Sequence, residues 1–148
     1  MLNIAESPEI TLEVKRSFAA TRERIFSAWT DPTQLARWFA PSADYTILVP
    51  ELDLRVGGRY IIEMHHKNGA VNRILGEYRE VTPPARLTFT WQWDREGGYE
   101  TLVTLELFAM PQGTDLVLRH SNFTDCPDRD RHAQGWEGCL SQLATLFP

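Results

Sequence analysis

Cysteine is scarce in this chain of 148 residues: only Cys126 and Cys139 occur, and their separation matches no metal-ligand or redox motif. A reduced, cytosolic setting is the default expectation. Long apolar runs are absent too, and none approaches the ~18 residues of a membrane-spanning helix. Met1 to Glu9 contain no basic stretch leading into an apolar core, so no secretion signal is expected. There is no basic excess either. The net charge is −5 with acids and bases interspersed, which argues against a nucleic-acid partner. No internal repeat, low-complexity tract, phosphate-cradling glycine loop, nucleophile elbow or kinase signature is found. No His, Asp, Glu and Cys residues cluster at ligand spacing, and His65 and His66, adjacent on a strand, point to opposite faces. Neither a metal nor a cofactor is expected.

What the chain does have is aromatics: five Trp, four Tyr and seven Phe. Such a surplus serves either core packing or an aromatic-lined pocket. Hydrophobic content of 43% and charged content of 24% suit one globular domain spanning residues 1–148, large enough for a real core.

Alternation of apolar and polar residues marks the first strand over Glu9 to Phe18, with Ile10, Leu12, Val14 and Phe18 on one side. Arg16 falls on that apolar side, as a buried charge needing a partner or as an edge residue that snorkels. Thr21 can cap a short helix carrying Ile25, Phe26 and Trp29. Asp31 can cap a second one, with Pro32 at its first position and Leu35, Trp38 and Phe39 facing one way. Six further strands follow. Tyr45, Ile47 and Val49 share a face of the next, and Tyr60, Ile62, Met64 and His66 share a face of the one after. Val71 to Val81 has mixed parity, with Ile74, Gly76 and Tyr78 in one set and Arg73, Leu75, Glu77 and Arg79 in the other; which set faces inward is not settled locally. Leu87, Phe89, Trp91 and Trp93 alternate most clearly. A strand from Tyr99 carries Thr101, Val103, Leu105 and Leu107, and the last lines up Leu116, Leu118, His120 and Asn122.

Asp128 to Phe147 closes the chain as an amphipathic helix with Trp136, Leu140, Leu143 and Phe147 as its stripe. A helix of that length spans roughly 30 Å. Its apolar face must be buried, and the sheet is the only large partner available. The expected class is α+β: a seven-stranded antiparallel sheet with two short helices after the first strand and a long helix at the end.

Several of these residues carry a resemblance. Arg16-x-Phe18-x-Ala20, followed by Phe26-x-Ala28-Trp29-Thr30-Asp31-Pro32-x-x-Leu35-x-x-Trp38, resembles the opening of the SRPBCC/START-like superfamily. The nearest subgroup is the one named after activators of the ninety-kilodalton heat-shock chaperone's ATPase (AHSA-type). Arg55-x-Gly57-Gly58-x-Tyr60, Arg86-Leu87-x-x-Thr90-Trp91 and Gly113-Thr114-x-Leu116 leading to His120 follow in order, and Gly135-Trp136 with Leu140 and Leu143 completes the set. The resemblance implies a helix-grip fold, in which a curved sheet wraps the C-terminal helix around an apolar cavity. Such folds host lipid and hormone carriers, cyclases and aromatases, and many small bacterial proteins, so it does not fix a function. The chain looks like the lone domain, without the extra N-terminal domain of a chaperone co-factor, which makes chaperone activation the least favoured reading.

The leading expectation is a binding protein for a small apolar or aromatic molecule, and not an enzyme. Its pocket would be formed by Trp38, Phe39, Tyr60, Met64, Trp91, Trp93, His120 and Trp136. The alternative is a cyclase, aromatase or hydrolase with His120 as its acid–base group, supported by Arg73 and Glu77. Against it, His120 can be a neutral core histidine, and Arg73 and Glu77 a solvated row. A third reading is a stress-related interaction protein that contacts a chaperone or a second copy of itself. His132 is expected to be solvated, and Cys139 to be an inert buried thiol.

Overall fold

In the computed structural model, which describes residues 10–148, the chain forms one antiparallel sheet and three helices. The order is β1 (Ile10–Phe18), α1 (Arg22–Thr30), α2 (Pro32–Trp38), β2 (Tyr45–Leu52), β3 (Arg59–His66), β4 (Val71–Thr82), β5 (Arg86–Trp93), β6 (Thr101–Met110), β7 (Gly113–Phe123) and α3 (Cys126–Ala144). Across the sheet the strands run β1-β7-β6-β5-β4-β3-β2. All neighbours but one are consecutive hairpins; the exception, β1 against β7, carries the first strand over to the last. The sheet curves around α3, which packs on β1 and β7 and touches α2. This is the helix-grip architecture expected from the sequence, with Glu9 lying outside the described residues.

The caps form as their chemistry requires. The Thr21 hydroxyl accepts from the Arg24 amide at the start of α1, and the Asp31 carboxylate accepts from Thr33 and Gln34 at the start of α2, ahead of Pro32 at its first turn. Arg16 finds the partner its position demands, donating to the Ser141 hydroxyl of α3 at 3.0 Å.

The mixed parity of β4 has a local cause. Its pairing with β5 shifts register between Tyr78 and Glu80, a bulge that lets Ile74, Tyr78 and then Val81 all turn to the concave side. Arg73, Glu77 and Arg79 consequently face solvent. Gly76 lies under the Tyr60 ring, where a Cβ would come within 2.1 Å of that ring. A second bulge, near the end of β7, corrects the expected line of residues there. Asn122 adopts a left-handed φ of +74° and is exposed, so that Phe123 takes the inward place opposite Ile10.

The closing helix also differs at its ends. It starts at Cys126 with Asp125 as its cap and stops at Ala144, so Phe147 is not part of the helical stripe. Phe147 instead turns towards α1, where the Arg24 guanidinium sits 4.9 Å from its ring centre. Trp136, Cys139, Leu140 and Leu143 are the buried face of α3.

Candidate functional site

The aromatic residues of the concave side divide into two groups that meet at Phe39 and where Trp29 packs on Trp136, ring centres 5.9 Å apart. Behind Phe39, α1 and α2 press onto the sheet. Trp29 and Trp38 pack edge to face with ring centres 4.7 Å apart, and the Trp38 indole donates to the Ala28 carbonyl at 2.9 Å. Tyr60 lies with them, its hydroxyl donating to the Thr90 carbonyl at 2.6 Å. Burial, and then the neighbouring Tyr78, push the Tyr60 phenol well above its ordinary value. Only about 20 Å³ of space remains among Trp29, Leu35, Phe39, Tyr60, Tyr78 and Phe89, room for about one water. This region is core.

In front of Phe39 the sheet and α3 diverge and leave an open pocket of about 230 Å³. Phe39, Met64, Trp91, Trp93 and Trp136 form its apolar wall, and Cys139 and Gly135 of α3 contribute to its lining. Trp91 and Trp136 stand 5.1 Å apart, and Phe39 meets Trp136 edge-on at 5.7 Å. Pro41, Tyr45 and Asn72 close one side; Arg95, Asp128, Arg131 and His132 supply its charged and polar groups. Burial pushes the Cys139 thiol up to about 12, so it lines the wall as an apolar group.

Two histidines form a polar seam along this wall. The Trp136 indole donates to His120 Nδ1 at 3.0 Å, which leaves Nε2 as the protonated nitrogen, and Nε2–H donates to the Thr101 hydroxyl at 2.6 Å. The Thr101 hydroxyl in turn donates to the Trp91 carbonyl at 2.9 Å. The same logic holds for His132: the Trp93 indole donates to Nε2 at 2.9 Å, and Nδ1–H donates to the Asp128 carbonyl at 2.8 Å. An indole N–H only donates, so the buried His120 imidazole is held neutral. The two imidazole ring centres are 5.2 Å apart. Burial, and then His132, push His120 well below its usual 6.5. Asp128 anchors the outer end: its carboxylate accepts from the Tyr99 hydroxyl and from Arg131 at 3.0 Å. Burial alone would raise that carboxyl, but these two bonds help hold it below its ordinary 3.8.

Of the residues expected in the pocket, Phe39, Met64, Trp91, Trp93 and Trp136 are brought together there. Trp38 and Tyr60 belong to the core behind Phe39, and His120 is fully buried behind the wall. Arg73 and Glu77 lie on the convex face, where Arg73 bonds Glu63 at 2.6 Å and Glu77 pairs with Arg79 at 3.2 Å. Neither lines the pocket. His132, expected to be solvated, is instead only 9% exposed and packs against Phe123 and Trp93. A sequence signal for it existed. Asp128, His132, Gly135 and Cys139 recur at steps of four, three and four, a second stripe beside the one through Trp136. Asn72 continues the inward set of Ile74 and Tyr78, whereas Arg95, in a turn, has no periodic signal.

A curved antiparallel sheet gripping a C-terminal helix, with an aromatic pocket between them, defines a helix-grip domain. The family of activator of Hsp90 ATPase homolog 1-like proteins matches residues 19–148, and the chain belongs to it. Among solved structures it is similar to a protein of Chromobacterium violaceum, 31% identical with a TM-score of 0.85 over 93% of this chain and 96% of that one. An AHSA1 protein of Silicibacter pomeroyi is 28% identical with a TM-score of 0.79, covering 92% and 96%. An AHSA1-like protein of Aeromonas hydrophila is 27% identical with a TM-score of 0.77, covering 92% and 90%. No curated protein matches the chain.

Proposed function

We propose that this protein binds a small apolar or aromatic molecule between the concave face of its sheet and α3. The observation that supports this is the open pocket of about 230 Å³ beside a core packed down to about 20 Å³. A chain that fills one compartment so completely has the side chains to fill the other, and the wall facing the gap is aromatic with a few polar groups at its edge. The volume lies below the ~300 Å³ at which drug-sized pockets begin, so the ligand is of one or two rings.

The enzymatic reading has less support. Both ring nitrogens of His120 are bonded to protein groups, and the ring does not reach the pocket. Acid–base work by His120 would first require breaking the Trp136 or Thr101 bond.

Gly135 offers the test. It lines the pocket, and a Cβ added there meets no atom within 4 Å. Gly135→Leu therefore places a side chain in the pocket while favouring the helix. Calorimetric titration with 2-naphthalenemethanol should show binding to the natural protein and its loss in Gly135→Leu, at a melting temperature no lower than that of the natural protein. Equal binding by both proteins would contradict the proposal.

A further inference from the structure

The charged groups around the pocket narrow the ligand's chemistry, on the premise that the pocket binds a ligand at all. The chain as a whole is acidic, with a net charge of −5. The pocket lining runs the other way, with two arginines, Arg95 and Arg131, against the single carboxylate of Asp128. Asp128 is already engaged by Tyr99 and Arg131, so that charge is spent within the protein. Arg95 is different. Among the described residues no carboxylate stands within ion-pair distance of it; its guanidinium lies over the Trp93 ring, 5.2 Å from the centre. Stacking on an aromatic face holds the planar fork in place and leaves its N–H edge available.

Position supports the same conclusion. The Asp94 amide donates to the Arg73 carbonyl at 2.9 Å, which carries the β4–β5 pairing one step past Trp93. Arg95 then turns back, its amide donating to the Trp93 carbonyl at 3.0 Å, and both Arg95 and Asn72 line the pocket. Arg95 is exposed while Trp91 and Trp136 are buried, so the charge is at the mouth and the apolar wall lies deeper. The lining thus sets the Arg95 guanidinium at the rim of an aromatic interior.

We infer that the ligand is an aromatic or apolar carboxylic acid of one or two rings, bound with its ring against Trp93 and Trp136 and its carboxylate on Arg95. A guanidinium meets a carboxylate through two parallel N–H bonds, a match that an alcohol or an amide does not reproduce.

The test compares 2-naphthoate with 2-naphthalenemethanol, which differ in charge at nearly equal size, by calorimetric titration of the natural protein and of Arg95→Gln. The exposed turn carrying Arg95 makes the substitution harmless to folding. Naphthoate should bind about fivefold more tightly than the alcohol, the scale of a partly exposed charge pair. Arg95→Gln should abolish that preference, bringing the two affinities within about twofold of each other. Equal affinities in the natural protein, or a preference that survives Arg95→Gln, would overturn the carboxylate assignment and leave the binding pocket standing. Binding of neither compound would overturn both.

Discussion

On one side of Phe39 the concave face of the sheet is packed solid; on the other it is open. The two regions share a sheet face and a richness in aromatics, and Phe39 borders both. They differ in what covers them. The closed region lies beneath α1 and α2, whose Trp29 and Leu35 reach down onto Tyr60, Tyr78 and Phe89. The open region is covered by the first half of α3, which presents Gly135 where a larger side chain would have filled the gap. Composition does not separate a core from a pocket; the shape of the covering element does.

The largest effect expected from breaking this contrast is on the closed side. Phe89→Ala, deep in that core, should cost about 3–5 kcal/mol. Trp93→Ala, on a half-buried wall already open to solvent, should cost less, since part of its surface was never removed from water. Urea denaturation of both variants measures the difference.

The two glycines of α3 that face in different directions give the next contrast. A Cβ on Gly138 would lie 2.2 Å from the Pro41 carbonyl oxygen, so the helix and the chain after α2 must part to admit it. Gly138→Ala should destabilise by about 1–3 kcal/mol. Gly135→Ala meets open space and should stabilise by about 0.5–1 kcal/mol through helix propensity alone. Thermal melts of the pair should therefore move in opposite directions.

Acid provides a third probe, at the seam behind the pocket. Burial and His132 depress His120 in the fold, so below about 6.5 the unfolded chain takes up a proton that the folded chain refuses. Stability from this group is fully present above 6.5 and is lost as pH falls from there toward the lowered folded value, by at most ~1.4 kcal/mol per pH unit. Melting temperature recorded between pH 7.5 and 5 should show that decline. His120→Gln should flatten it, with a lower starting stability because Trp136 or Thr101 loses a partner.

Much of the fold was legible in the sequence, because burial imposes periods that residues display. Strand alternation, the caps at Thr21 and Asp31 and the helical stripe of α3 all follow from local rules. The places where the reading failed are those where a long-range contact decides. Asn122 looked inward until a bulge against β1 gave its place to Phe123. Tyr60 shares a face with Met64, yet Tyr60 is spent across Gly76 in the core while Met64 lines the pocket. Strand parity gives the face of a residue, not the compartment along that face. His132 looked solvated because its neighbours Asp130 and Arg131 are charged; only the approach of Trp93 and Phe123 makes its side of the helix an interior.

The central claim, that one aromatic region is core and the other a binding pocket, can be read from the five tryptophans directly. In a proton–nitrogen correlation spectrum their indole N–H signals report each region separately during titration with 2-naphthalenemethanol. The account predicts that Trp91, Trp93 and Trp136 shift in a saturable way while Trp29 and Trp38 shift least. Absence of saturable shifts, or shifts as large at Trp38 as at Trp93, would contradict it.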